Sequence, residues 1–331
     1  MKLKKCAALL LVSSCLLTGC TTSSAKKVDS KYVVASLEKG NKTKNIFADN
    51  LYKDIIDNSS NNSTVFNAVL QNLVDQKFPV NDDMKEDAAT IIKQIKSAYK
   101  SNYGDNYKDS LNQALTSAGY KNLSEYRQRM IKQIQYANFL LDYIDDHFDD
   151  VFNDYYQQCA PKYVSLIKIS VSDTSSPTDD ETSKLNEVKE LISNTDKSFG
   201  DIAQDYSDDS TSSKKGSLGI VDSNDTSGIA NSYGEDVFNA IEALSEGQVS
   251  DVITGDDGYY FVKVTSTDKK TLKKELKKTD IDSPLLAYDD YLQYVVYNSY
   301  KINYKDKDIK KIVQEVVNKA LEERKTERGE A

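Results

Sequence analysis

Two spacings of apolar residues divide this chain. Near its start and near its end, apolar positions recur every three or four residues, the period of a helix with one buried face. Val65, Val69, Leu70 and Leu73 form one such face, and Met84, Ala88, Ile91, Ile92, Ile95 and Tyr99 form the next. Pro79 separates the two, and Asn81 or Asp82 is placed to cap the second helix. A longer helix is predicted from about 124 to 148, carrying Met130, Ile134, Ala137, Leu141, Ile144 and Phe148. The last helix carries Ile309, Ile312, Val313, Val316, Val317 and Ala320. Before the first helical face, Tyr32–Leu37 reads as a strand, and from Lys44 the chain is expected to turn helical.

Between these flanks the pattern shortens. Residues 163–171 predict a strand, followed by helices over 179–193 and 198–206 and a loop over 207–216. A strand over 217–221, a helix over 234–244 and strands over 249–254 and 259–265 complete a self-contained α/β pattern. The stretches 172–180 and 222–233 are rich in Ser, Thr, Asp and Asn and are expected to be exposed and mobile. After them, Lys269–Lys278 (KKTLKKELKK) reads as a basic helix, set against anionic polymer or lipid or simply solvated. The stretch YKINY (Tyr300–Tyr304) looks strand-like, and the charged tail 325–331 is expected to fray. The fold class that follows is α+β, with helical segments at both ends and an α/β domain inserted between them.

Composition narrows the chemistry. Charged residues make up 29% of the 331 and hydrophobic ones 39%, which favours exposed helices around modest cores. The formal net charge of −9 excludes an electrostatic nucleic-acid binder. The first twenty residues have a basic start (Lys2, Lys4, Lys5) and an apolar run from Cys6 to Leu17, shorter than a membrane span. They close on Leu17-Thr18-Gly19-Cys20. Small residues before a cysteine are the pattern of a lipoprotein processing site, so Cys20 is expected to carry a lipid and to tether the chain to the outer face of a membrane. Of the four cysteines, only Cys159 then remains a free thiol, and no disulfide framework is expected. His147, the single histidine, lies among Asp145, Asp146, Asp149 and Asp150, but neighbours on a helix diverge, so no metal and no cofactor are expected.

The middle of the chain resembles a known family. VSLIKISV (Val164–Val171), SFGDIAQDYSDD (Ser198–Asp209), KKGSLGIV (Lys214–Val221) and EALSEGQVSDVITGDDGYYFVKV (Glu242–Val264) follow one another in the order and spacing of the parvulin family of peptidyl-prolyl isomerases. The helical flanks and the lipoprotein-like start are similar to one branch of it, the PrsA-like foldases of Gram-positive bacteria. The resemblance implies a leader over 1–20, a tether over 21–31, and an N-terminal helical chaperone lobe over 32–160. It further implies a parvulin-like domain over 161–267 and a segment 268–331 returning to the helical lobe.

The resemblance also implies a site built from two histidines, an acid or thiol, and an apolar slot for the proline ring. Laid on this sequence, the first histidine position holds Lys168, the second Tyr260, and the acid or thiol position Ser217; the slot aromatic is Phe238, with Ile229 a candidate beside it. With its only histidine at 147, the central stretch has none, whatever the register. The expected function is therefore that of an extracytoplasmic foldase on the outer membrane face. Its partners are unfolded secreted polypeptides, bound on apolar and Tyr-rich grooves, with weak or absent isomerase activity. Two alternatives stay open, an isomerase with a rewired site and a structural or adhesive surface lipoprotein, as does a homodimer.

Overall fold

A computed structural model describes residues 26–39, 42–194, 196–277 and 280–330. The predicted lipidation residue, Cys20, lies outside them. Residues 85–289 gather into one compact unit; the described residues up to Met84 and those from Asp290 onward gather into a second. Helical segments from the two ends of the sequence therefore share one unit, and the α/β domain falls between them in sequence.

The second unit opens with a three-stranded antiparallel sheet of β1 (Lys26–Val28), β2 (Lys31–Lys39) and β3 (Lys42–Phe47), in that order. The strand at 42–47 corrects the expectation of a helix from Lys44. Its backbone pairs with β2 from Val33↔Phe47 to Lys39↔Lys42, and this ladder outweighs the weak helical pattern of KTKNIF. Helix α1 (Ala48–Ile56) follows, then α2 (Asn62–Lys77). Residues 300–304 are irregular rather than a strand: the preceding helix ends at Ser299, and among the described residues YKINY joins no strand ladder.

The apolar stripes place the long helices. Val65, Phe66, Leu70 and Val74 on α2 are buried, as are Ile312, Val313, Val317 and Ala320 on the C-terminal helix, and these two helices pack together. Phe66 stacks on Tyr294 with ring centres 5.0 Å apart and meets Tyr297 edge-on at 5.1 Å. The C-terminal helix starts where Asp306 accepts hydrogen bonds from the amides of Asp308 and Ile309, an N-cap.

The first unit takes in most of α3 (Asp82–Tyr103), then α4 (Tyr107–Ser117), α5 (Leu123–Asp146) and α6 (Phe148–Cys159). Asn122 caps α5 by accepting from the Glu125 amide at 2.9 Å. The predicted helix to 148 breaks two residues earlier, at Asp146. His147 leaves the helical region, its Nδ1 lies 2.9 Å from the Tyr143 carbonyl, and Phe148 begins α6. Ala160, in the left-handed region at φ 41°, ends α6 just before Pro161.

The central sheet is four-stranded and antiparallel, in the order β5 (Ser217–Val221), β4 (Lys162–Ser170), β7 (Gly258–Ser266), β6 (Ile253–Gly255). The strand predicted over 249–254 shrinks to Ile253–Gly255, preceded by a single bridge from Val249 to Lys263. Alternation along β4 gives the sheet two apolar faces. Ile167 and Ile169, with Phe261 from β7, meet Leu185 and Val188 of α7 (Asp179–Asn194) and Phe199, Ile202 and Ala203 of α8 (Phe199–Tyr206). Val164 and Leu166, with Tyr260 and Val262, meet Ile229 of α9 (Ile229–Tyr233) and Val237 and Ile241 of α10 (Glu235–Ala243).

The segment 222–233, expected to be exposed, is organised by the buried carboxylate of Asp222. It accepts from the amides of Asn224 and Thr226, from the Thr226 hydroxyl, and from Tyr155 on α6 at 2.8 Å. Ser223, Asn224, Ser227 and Asn231 are exposed as expected, while Asp222 and Ile229 are buried. The basic stretch forms α11 (Lys269–Leu276), with Leu272 and Leu276 buried and Lys273 bonded to Asp149 at 2.8 Å. The second unit closes with α12 (Leu292–Ser299) and α13 (Lys307–Glu327), the C-terminal helix described above.

Candidate functional site

The antiparallel register of β4 and β7 sets Lys168 directly opposite Tyr260. Both lie on the sheet face that α9 and α10 cover, because Lys168 follows Val164 and Leu166 at even spacing. A two-residue turn, Asp256-Asp257, joins β6 to β7 and brings a carboxylate back over the pair. Asp257 Oδ2 accepts from Lys168 Nζ at 2.5 Å, and Oδ1 accepts from the Tyr260 hydroxyl. The ammonium also stands 5.5 Å from the centre of the Tyr260 ring. Gly255 makes room for that ring, since a Cβ there would come within 2.7 Å of Tyr260 Cε2.

Burial differs sharply across the ion pair. The Lys168 side chain is 6% exposed and that of Asp257 62%. Partial burial pushes the Asp257 carboxyl up, but the hydrogen bonds from Lys168 and Tyr260, together with the lysine charge, outweigh it and hold the group below its ordinary value. Burial, then the bond to Asp257 and its charge, push the Tyr260 phenol well above its ordinary value. Tyr260 is therefore a hydrogen-bond donor at neutral pH.

A second carboxylate reaches the same ring cluster from the other side. Tyr233 meets Tyr260 edge-on at 6.1 Å, and its hydroxyl points to Asp209 Oδ2 at 3.4 Å. Asp209 is 2% exposed. Its Oδ1 accepts from the Thr211 amide at 2.8 Å and the Thr211 hydroxyl at 2.7 Å. The loop is pinned along β4: the Lys168 amide donates to Ser207 Oγ, and the Asp208 amide donates to the Lys168 carbonyl. Burial, followed by the charge and hydrogen bond of Asp209, raises the Tyr233 phenol as well.

Of the residues that sequence reasoning proposed, the structure brings Lys168 and Tyr260 together. Phe238 on α10 and the buried Ile229 pack in the same cluster as Tyr260. Ser217 does not join them. It pairs across from Ser165, on the opposite side of β4 to Lys168, and its hydroxyl donates to the Tyr163 hydroxyl at 3.0 Å. The acid facing the tyrosine cluster is Asp209, which the sequence reading passed over. The signal was present in the D-S-T run of Asp209–Thr211, where an aspartate bonds the backbone two residues on. Asp257 was missed too, because only the strand register places it over Lys168.

The arrangement offers three hydrogen-bond donors, Lys168, Tyr233 and Tyr260, on one face of a sheet beside apolar Phe238, Ile229 and Leu218. Each donor is tied to a carboxylate. Among the described residues no group of three or more His, Cys, Asp or Glu side chains is placed to hold a metal ion. Cys159 is buried, with Asn224 Nδ2 3.4 Å from its sulfur.

Residues 166–266 match the family model of the rotamase, PPIC-type PPIase domain. The foldase protein PrsA of Staphylococcus epidermidis is 31% identical over 141 residues, 40% of this chain and 41% of that protein. PrsA of Staphylococcus aureus is 32% identical over the same shares. Residues 166–266 thus form a parvulin-type domain, and the chain is similar to PrsA over about two fifths of its length. The alignments span only about two fifths of these relatives' length. Among solved structures, PrsA from Bacillus subtilis aligns over 85% of this chain and 97% of its own, at 21% identity and a TM-score of 0.39. The matched segment contains Lys168, Asp209, Tyr260 and Asp257, so the donor cluster lies within the parvulin-type domain.

Proposed function

We propose that the protein is an extracytoplasmic, lipid-anchored foldase that holds unfolded secreted polypeptides and turns over prolyl bonds poorly. The anchor is Cys20, and the clients dock by transient burial of apolar side chains. Support for poor turnover comes from one observation: the Tyr260 hydroxyl and one N–H of Lys168 are both engaged by the carboxylate of Asp257. Isomerisation must lower a barrier of roughly 18–20 kcal/mol set by amide conjugation. That requires groups complementary to the twisted amide and free to meet it. Donors already paired to a carboxylate must first give up that bond.

Two measurements test the reading together. In a protease-coupled assay with a proline tetrapeptide, the mature protein is expected to give a rate close to the uncatalysed one. With a reduced, unfolded secreted protein at equal molarity, it is expected to suppress aggregation. Failure to suppress aggregation overturns the foldase reading. A concentration-dependent acceleration lost in Tyr260→Phe would install the rewired isomerase, the reading favoured by the gathering of Lys168, Tyr233 and Tyr260 on one sheet face. Mass spectrometry of the mature N-terminus tests the anchor separately: a terminus other than a lipid-modified Cys20 removes it.

A further inference from the structure

Two polar loops of this chain satisfy their own backbone. The stretch 172–178 is bonded through the carboxylates of Asp173 and Glu181, and the stretch after Val221 through that of Asp222. Residues 301–304, between α12 and α13, differ. Among the described residues, none of their backbone N–H or C=O groups takes part in a hydrogen bond. Tyr300 enters the segment extended, at φ −87° and ψ 136°. Exposure then follows the period of a strand: Lys301 and Asn303 are exposed, while Tyr300, Ile302 and Tyr304 are partly buried. Side chains hold the segment at both ends. The Lys77 ammonium stands 5.3 Å from the centre of the Tyr300 ring, and the hydroxyls of Tyr304 and buried Tyr297 lie 2.5 Å apart. The backbone between them is a strand without a neighbour, and such an edge is a template for pairing.

The three inward side chains border a cavity of about 180 Å³, lined also by Val313 and Val317 of α13. More than half the residues of α13 are charged, yet no charged residue lines the cavity. Its remaining polar lining is carboxamide: Asn298, Gln314 and Asn318, none of which bonds another described residue. Gln314 and Asn318 stand one turn apart on α13. Each carboxamide offers both donors and an acceptor, as a peptide bond does. A helix, about 10–12 Å across with its side chains, is too wide for such a space, whereas one apolar side chain fits. Unpaired backbone beside an uncharged pocket for alternate side chains is the geometry of strand addition. In that mode main-chain bonds supply affinity and the pocket supplies selectivity.

We propose that Tyr300–Tyr304 is a docking strand: an extended, uncharged segment of an unfolded polypeptide pairs with its backbone and lodges an apolar side chain in the cavity. That the partner is an unfolded client rests on the foldase reading above; the docking strand itself does not. A saccharide or a lipid would leave the row of main-chain groups unmatched. A charged side chain would be desolvated against valine and tyrosine without a counter-charge. The segment is already extended and held at both ends, so it loses little further freedom on pairing.

The test uses the unlipidated chain 21–331 and a dye-labelled, end-capped peptide, Thr-Val-Thr-Ile-Thr-Val-Thr, whose binding is read by fluorescence anisotropy. Amide deuterium exchange over 300–305 is expected to slow when the peptide binds. Neighbouring residues of a strand turn their N–H groups to opposite edges, so Lys301→Pro/Asn303→Pro removes donors from one edge and Ile302→Pro from the other. Binding should fall about tenfold or more in one of these variants, since each main-chain bond lost weakens it several-fold. It should stay near the parent's in Lys301→Ala/Asn303→Ala and in Ile302→Val, which keep every N–H. A peptide with Glu in place of its central Ile should bind more weakly; equal binding overturns the uncharged pocket. Circular dichroism checks that the variants keep their fold. Unchanged exchange over 300–305, or binding that both proline variants retain, overturns the proposal. So does a dimer in sedimentation equilibrium that the same variants dissociate, since the pairing strand would then be a second copy's. Aggregation of an unfolded secreted protein is followed in parallel. Suppression without slowed exchange over 300–305 overturns the docking strand and leaves the foldase reading; slowed exchange without suppression overturns the foldase reading and leaves the docking strand.

Discussion

Lys168 and Tyr260 face each other across β4 and β7 and donate to the two oxygens of one carboxylate, that of Asp257. The lysine is buried and the aspartate is largely exposed, so the pair is asymmetric. Removing the exposed partner leaves a charged donor and a phenol beneath the sheet surface without an acceptor. Asp257→Ala is therefore expected to lower stability by about 1–3 kcal/mol, the usual cost of orphaning a buried donor. Lys168→Met keeps the volume and removes the charge, and should be neutral to within about 1 kcal/mol. The folded carboxyl of Asp257 titrates below its ordinary value of 3.8, so its contribution is present above that pH and is lost as pH falls through the lower folded value. Urea denaturation of the three proteins at pH 7 and pH 3 checks both statements; equal stability of Asp257→Ala and the parent at pH 7 overturns the first.

Gly216 holds the turn that leads the loop into β5. Its φ is 75°, its carbonyl accepts from the Leu166 amide at 2.8 Å, and an added Cβ would lie 2.4 Å from the Leu166 carbonyl oxygen and 2.8 Å from Ala203 Cβ. The backbone cannot retreat without losing that hydrogen bond. Gly216→Ala should therefore cost more than the roughly 1–2 kcal/mol of left-handed strain alone, with thermal unfolding as the readout. A melting temperature unchanged from the parent would show that the turn relaxes freely.

Much of the α/β domain was legible because its core residues obey simple periods. Val164, Leu166 and Ile169 on the first strand, and Phe199, Ile202 and Ala203 on the helix, are buried as their spacing predicts. The site was legible only where it rests on a strand register. Lys168 and Tyr260 meet because the antiparallel ladder pairs them. Ser217 stands apart from them because a bulge at Val164–Ser165 shifts the β5 register, and one-residue shifts exchange the faces of a sheet. Asp209 and Asp257 reach the cluster from loops, and nothing in an aspartate's neighbours tells which way a loop will carry it. The strand Lys42–Phe47 escaped notice for a related reason: lysines and asparagine occupy it, and its existence depends on the partner strand rather than on its own composition.

Helix α7 begins with a reciprocal cap whose strength depends on pH. Glu181 accepts from the Thr178 amide at 2.8 Å and from the Thr178 hydroxyl at 2.9 Å, while its own amide donates to Thr178 Oγ1 at 3.2 Å. It also accepts from the Ser172 amide at 2.8 Å, which ties the strand exit to the helix start. The bonds from Thr178, then that from Ser172, pull the Glu181 carboxyl down to about 2 from 4.5. Because the folded value is depressed, the cap contributes above pH 4.5 and is lost as pH falls toward 2. Carbon-13 NMR titration of the Glu181 carboxyl is expected to show a midpoint far below those of solvated glutamates. A midpoint near 4.5 removes the cap from the account.

Tyr155 and Asp222 join helix α6 to the segment after β5 through a buried bond of 2.8 Å. Asp222 is 1% exposed, and its four acceptor bonds leave it no access to water. Burial, then the charge and bond of Asp222, push the Tyr155 phenol far above its ordinary value, so it stays a donor at any pH at which the protein is studied. Asp222→Ala strands the Tyr155 hydroxyl and two amides at once, and a loss of about 3 kcal/mol or more is expected, at about 1–3 kcal/mol per orphaned group without full additivity. Tyr155→Phe removes one donor from a carboxylate that keeps three others, and should cost about 1–1.5 kcal/mol. The double variant should cost less than the sum, because the bond between the two residues is lost only once. Chemical denaturation of the four proteins gives that coupling directly. Strict additivity would mean that the bond contributes nothing, and that Asp222 serves only to fold its own loop.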